Sequence, residues 1–189
     1  LLMAYEQVGI GPGDKVIVPS WTFISTAEMI TKLGAVPVWV DVNMHDYTID
    51  IEDLERKMDT HGKDIKAIVG VDCYGHTCDW DKIKEIANIY FIPVIQDAAQ
   101  SFGGEYKGQI NGSYNLTCFS FYPSKNLGAY GDGGLITTEN LKLYKKINSL
   151  VKNLKLGSED DESGDFFLEE KTKQAYLSEH CLLYTSPSP

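Results

Sequence analysis

A chain of 189 residues with 43% hydrophobic and 23% charged residues holds enough apolar material for one core and too much of it for a disordered segment. Its formal net charge of −10 argues against a nucleic-acid partner, because phosphate contacts need a basic face. No apolar run is long enough to span a bilayer and no charged-then-apolar leader opens the chain, so a cytoplasmic protein with no membrane partner is expected.

Much of the negative charge lies in one late run, Glu159 to Glu170, which reads as a solvated face or loop. The four cysteines, Cys73, Cys78, Cys118 and Cys181, are scattered. Cys73 and Cys78 lie five positions apart and no second pair completes a zinc pattern. Reduced, mostly buried thiols and no metal site are expected, and the four histidines show no ligand spacing either.

Taken in order, short β-branched runs alternate with amphipathic ones. The opening LLMAYEQVGIGPGD has helical apolar spacing without a capping residue before it. KVIVP (Lys15–Pro19) reads as a strand and TAEMITKLG (Thr26–Gly34) as a helix closed by glycine. VPVWVDV (Val36–Val42) is a second strand. Asp50 is placed to cap a helix running to Met58. KAIVGVDCY (Lys66–Tyr74) is a third strand, nearly all apolar as expected when both faces are covered. Asp79 caps a helix to Tyr90 with Ile83, Ile86 and Ala87 on one face, and IPVIQDAAQ (Ile92–Gln100) brings a fourth strand ending in a carboxylate. TCFSFY (Thr117–Tyr122) and GGLITT (Gly133–Thr138) are strand-like with no helix between them, so they are not expected to form a right-handed crossover pair. A polar helix from Glu139 to about Asn153 follows. The closing HCLLYTSPSP has no periodicity; residues 180–189 are read as a non-native tail and set outside the fold.

This alternation implies an α/β fold with a mainly parallel sheet and helices on both faces. Ligands of such sheets bind beyond the carboxyl ends of the strands. Four features fall there: Trp21-Thr22-Phe23, Tyr74-Gly75-His76, Asp97-Ala98-Ala99-Gln100, and the loop around Lys125. Each has a plainer reading. A strand-end aspartate commonly forms a turn or caps a helix, a lone loop lysine is usually solvated, and Phe23 alone reads as a core aromatic. The glycines after Lys125 run into a strand, whereas dinucleotide loops open a helix.

In their order, however, PSWTFISTAEMITKLGAVPVWVDV, VIQDAAQSFGGEYKG and FSFYPSKNLGAYGDGGLITT resemble the DegT/DnrJ/EryC1/StrS family of pyridoxal-phosphate-dependent sugar aminotransferases, over roughly Tyr5 to Lys146. The resemblance implies an aspartate-aminotransferase-like large domain (fold type I) with a mixed, mainly parallel sheet, truncated here at both ends, and a homodimer when full length. Residues 1–153 would be a partial cofactor-binding large domain, 154–179 a divergent acidic segment, and 180–189 the tail. By the same resemblance the cofactor is pyridoxal 5′-phosphate. Lys125 would take its aldehyde on the side-chain amine and then move the proton between substrate and cofactor carbons. Asp97 would pair with the ring nitrogen, Gln100 would contact the phenolic oxygen, Phe23 would stack on the ring, and Ser120 would help hold the phosphate.

The chain departs from the family in three places. The Gly-Thr pair that cradles the phosphate at a helix start would precede Leu1, the stretch between Gly112 and Cys118 lacks the expected Gly-Asp, and the usual continuation is not visible after about Asn153. The piece is therefore expected to be inactive alone and to hold cofactor weakly. The leading reading is transamination of a nucleotide-linked keto-sugar, with glutamate or glutamine as amino donor. The alternatives are a sugar dehydratase of the same family that uses the aminated cofactor, and a non-catalytic relative that binds cofactor or sugar. By the resemblance those dehydratases carry histidine where Lys125 stands, which favours transamination. A nucleotide-binding oxidoreductase fits worst, since no glycine fingerprint joins a strand to a helix.

Overall fold

The structure is a computed structural model that describes residues 1–113, 116–156 and 181–185. Helix α1 (Leu2–Gln7) precedes strand β1 (Lys15–Pro19), α2 (Ile24–Lys32) precedes β2 (Val36–Val40), and α3 (Ile51–His61) precedes β3 (Ile65–Val71). Next come α4 (Trp80–Tyr90), β4 (Val94–Asp97) and a hairpin of β5 (Glu105–Tyr106) with β6 (Gln109–Ile110). The last elements are β7 (Leu116–Ser120), β8 (Gly133–Thr138), α5 (Leu141–Leu156) and β9 (Cys181–Thr185). Seven strands make one sheet in the order β2-β1-β3-β4-β7-β8-β9. The first five are parallel, while β8 runs antiparallel to β7, and β9 to β8. The mixed, mainly parallel sheet read from the sequence is the sheet observed.

Strand periodicity divides the core between the two faces. Val16, Val18, Ala67, Val69 and Ile95 face one layer, where Ala4 and Tyr5 of α1, Ile30 of α2, and Ile147 and Val151 of α5 cover them. Ile17, Ile68 and Val94 face the other, under Leu54 and Met58 of α3 and Trp80, Ile83, Ile86 and Ala87 of α4. Helices on both sides explain why these strands are apolar at nearly every position. Both aspartate caps form: Asp50 accepts from the Asp53 N–H at 2.8 Å and Asp79 from the Lys82 N–H at 3.3 Å. Gly70 on β3 has a packing reason, since a Cβ there would lie 2.5 Å from the Trp80 ring.

Several boundaries differ from the sequence expectation, and one element was not expected. Helix α2 begins at Ile24 rather than Thr26, because the Phe23 carbonyl already accepts from the Thr26 N–H at 3.0 Å. Strand β3 stops at Val71, and Cys73–Gly75 form a 3-10 turn in which Tyr74 takes a φ of 54°. Helix α5 starts at Leu141, where Asn140 accepts from the N–H groups of Lys142 and Leu143. The β5–β6 hairpin was not expected; Lys107 and Gly108 turn it with φ of 50° and 78°, the left-handed pair of a two-residue hairpin loop. Residues 181–185, which the sequence reading set outside the fold, pair along β8 as its outer neighbour. The acidic run Glu159–Glu170 and the Tyr114–Asn115 part of the altered loop lie outside the described residues.

Candidate active site

Because β1, β3, β4 and β7 run parallel, their carboxyl ends share one edge of the sheet. A cavity of about 1000 Å³ opens there. Its wall includes Phe23 from beyond β1, Asp97 and Gln100 from the end of β4, and Ser120 and Lys125 from the end of β7. All five residues singled out from the sequence are thus brought to one cavity. Phe23 is 69% exposed and not a core aromatic.

Asp97 is 4% exposed. Its Oδ1 accepts from the Ala99 N–H at 3.1 Å, which is an aspartate turn, so the plainer reading holds for that oxygen. Its Oδ2 does something no local turn requires: it accepts from Thr26 Oγ1 on α2 at 2.9 Å. Burial pushes the carboxyl above its ordinary value, and the bonds from Thr26 and Ala99 and the nearby Lys125 charge oppose that rise.

Lys125 is half-buried in a loop closed at its base by the Phe121 N–H on the Gly133 carbonyl at 2.7 Å. The Lys125 N–H donates to the Tyr122 carbonyl at 2.8 Å, and the Ala129 N–H returns to the Phe121 carbonyl at 2.8 Å. Gly128 permits this compactness, since a Cβ would lie 2.5 Å from the Pro123 carbonyl oxygen. Gln100 Oε1 accepts from the Tyr74 N–H at 2.6 Å, which leaves its amide nitrogen as the donor end. Ser120 Oγ accepts from the Tyr122 N–H at 3.3 Å and keeps its hydroxyl hydrogen to give.

Two groups escaped the sequence reading. One is Thr26, buried in the first turn of α2 against Asp97. The other is an aromatic set at the cavity mouth. Trp21 donates from Nε1 to Tyr74 Oη at 3.3 Å, and the Tyr47 ring lies tilted at 6.0 Å from Trp21 and edge-on at 5.9 Å from Tyr74. Trp21 and Tyr74 were placed at strand ends but not joined, and Tyr47 carried no signal. Its contact depends on a left-handed backbone at φ 60°.

Asp72, which follows β3, is fully buried, and among the described residues no cation forms an ion pair with it. Its carboxylate accepts from the Cys78 N–H (3.0 Å), Gln96 Nε2 (2.6 Å), Ser101 Oγ (3.0 Å) and Asn111 Nδ2 (3.1 Å), tying together the segments that follow β3 and β4. Burial nevertheless pushes its pKa up to about 6, against the bonds from Cys78, Gln96 and Ser101. An unfolded aspartate titrates near 3.9, so folding favours the protonated form. That contribution is complete below about pH 4 and lost as pH rises through about 6. Relative to an Asp72→Asn variant, the wild-type unfolding free energy measured in urea should therefore fall by about 2 kcal/mol from pH 4 to pH 7. A constant difference across that range would show that the carboxylate is charged throughout.

Cys73, Cys78 and Cys118 are buried and free, and burial raises all three thiols. Among the described residues, no cluster of His, Cys, Asp or Glu is placed to hold a metal ion, and no helix is long and apolar enough to cross a membrane.

This fold is that of an α/β protein with a lysine and a buried carboxylate lining one cavity at the sheet edge. Residues 1–170 match the model of the DegT/DnrJ/EryC1/StrS aminotransferase family, and the chain belongs to that family. The match runs past Asn153, further than the motifs alone suggested. The UDP-2-acetamido-2-deoxy-3-oxo-D-glucuronate aminotransferase of Pseudomonas aeruginosa is 45% identical over 154 residues, 81% of this chain and 42% of the relative. Among solved structures, S. venezuelae DesV in complex with a ketimine intermediate superposes with a TM-score of 0.75 at 31% identity, covering 94% of this chain and 44% of that one. NtdA of Bacillus subtilis with bound cofactor PMP gives 0.70 at 35% identity, covering 77% and 32%. The chain spans about two fifths of the length of the curated relatives it matches.

Proposed function

We propose that the full-length protein is a pyridoxal-phosphate-dependent aminotransferase that transfers an amino group from glutamate or glutamine to a nucleotide-linked keto-sugar. It would act as a cytoplasmic homodimer. The observation that carries this reading is the convergence of Lys125 and Asp97, from the ends of different strands, on one cavity. The names of the relatives support it: one is an aminotransferase of a UDP-linked oxo-sugar and another was solved with PMP bound.

The residues fit such a cofactor. Asp97 is a buried carboxylate suited to a cationic ring nitrogen, Gln100 keeps its amide donor, and Ser120 keeps a hydroxyl hydrogen for a phosphate oxygen. When bound, the cofactor supplies an aldehyde for the amino group and a cationic ring that absorbs electrons from the reacting carbon. Lys125 Nζ would be the group on this chain able to take up a proton from the reacting carbon and return it. The Asp97 carboxylate holds the proton at the ring nitrogen through a charge-assisted bond. Phe23, exposed on the cavity wall, would cover a ring face and exclude water from it.

The test is incubation of the full-length protein with pyridoxal phosphate, glutamate and a panel of nucleotide-linked keto-sugars. The expected result is equimolar 2-oxoglutarate and nucleotide-linked amino sugar. Loss of water from the sugar without gain of nitrogen would establish the dehydratase alternative, and cofactor binding without turnover of any panel member would favour a non-catalytic relative.

A further inference from the structure

We propose that Thr26 is a positioning residue for Asp97: the hydroxyl pair Thr22–Thr26 holds that carboxylate charged and aimed at the cofactor's ring nitrogen. The inference rests on the cofactor reading above and adds two residues to which the sequence reading gave no role.

Thr26 is 0% exposed and stands 71 positions from Asp97 in the chain, yet its Oγ1 lies 2.9 Å from Asp97 Oδ2. Thr22 Oγ1 lies 2.8 Å from Thr26 Oγ1. The direction of this chain follows from hydrogen counting. A hydroxyl has one hydrogen and an ionised carboxylate only accepts. Thr26 therefore donates to Asp97, and Thr22 donates to Thr26. Threonines inside helices commonly turn their hydroxyl back to the carbonyl one turn earlier; Thr26 reaches across to the sheet instead. Tyr5 of α1 secures the arrangement from behind, donating from its hydroxyl to the Thr26 carbonyl at 3.0 Å. Thr22 itself lines the cavity, so the two hydroxyls run from the cavity wall to Oδ2 of the carboxylate.

The remaining surroundings of Asp97 make this support consequential. Tyr5 on α1, Cys73 after β3 and Cys118 on β7 are its titratable neighbours, and each is raised by burial with the Asp97 charge adding to the rise. Among the described residues the positive side chain nearby is Lys125. With Ala99 occupying Oδ1, Thr26 is the side-chain donor on Oδ2 that offsets burial. Removing it leaves a buried carboxylate with one fewer bond to its charged form, which weakens its hold on a protonated ring nitrogen.

The experiment compares full-length wild type, Thr26→Val, Thr26→Ser and Thr22→Val. Each is titrated with pyridoxal phosphate and with the analogue in which carbon replaces the ring nitrogen. Circular dichroism and melting temperature verify the fold of each variant. Thr26→Val should bind pyridoxal phosphate about tenfold more weakly, as expected for loss of a hydrogen bond to a charged group, while its affinity for the analogue stays within about twofold. Thr26→Ser should restore pyridoxal phosphate binding, and Thr22→Val should show the same selective loss on a smaller scale, about threefold. Equal losses for both ligands, or no loss, in folded Thr26→Val would overturn the proposal. If Thr26→Val does not fold, Thr22→Val decides by the same criterion. Failure of the wild type to bind pyridoxal phosphate would remove the cofactor reading itself, and would be seen before any variant is compared.

Discussion

Replacing Lys125 with alanine in the full-length protein will lower transamination at least ~10⁴-fold, about 5.4 kcal/mol of barrier, without unfolding it. Fold tolerance follows from position: Lys125 is half-buried in a loop, and the bonds that shape the loop come from backbone groups of Phe121, Tyr122, Lys125 and Ala129, which alanine preserves. The loss follows from chemistry, because no other lysine lines the cavity wall among the described residues. A direct check is borohydride reduction of the wild type loaded with pyridoxal phosphate, followed by peptide mapping. The label should fall on Lys125. Label on Lys107 or Lys146 would refute the assignment, and so would substantial turnover by the alanine variant.

Asp97→Asn is the second variant with a large expected effect. The substitution keeps the size of the side chain and an oxygen for the Ala99 N–H, so the aspartate turn survives. It removes the charge that would hold a proton on the ring nitrogen, and it faces the Thr26 hydroxyl with an amide donor where an acceptor stood. The full-length variant should fold, retain cofactor and turn over at least ~100-fold more slowly, about 2.7 kcal/mol of barrier. Near wild-type turnover with cofactor bound would mean that Asp97 serves its turn alone. The supporting role inferred for Thr26 would fall with it.

Signals confined to a few neighbouring residues were enough for most of the sheet. Mostly apolar runs of five to nine residues located β1, β2, β3 and β4, Asp50 and Asp79 announced two helix starts, and the missing helix between TCFSFY and GGLITT argued against a right-handed crossover, in keeping with the antiparallel pairing of β7 and β8. The ordered stretches around Phe23, Asp97, Ser120 and Lys125 likewise carried the family and the candidate residues. That information is local because side-chain period and capping act within one or two turns of chain.

What the sequence could not supply depends on groups far apart in the chain or on backbone shape. Thr26 reads as an ordinary helix residue until the packing of α2 on the sheet sets its hydroxyl against Asp97. Gln100 has a defined donor end because Tyr74, held in a left-handed turn, offers its N–H to Oε1. Asp72 looks like any polar residue after a strand until burial and four donors from separate segments surround it. The sequence by itself determined the alternation of elements, the two-sided sheet and the kinds of side chain available at its edge. Only the tertiary structure decided which of them meet, because a hydrogen bond between residues 71 positions apart is fixed by how helices pack on a sheet and not by any pattern along the chain.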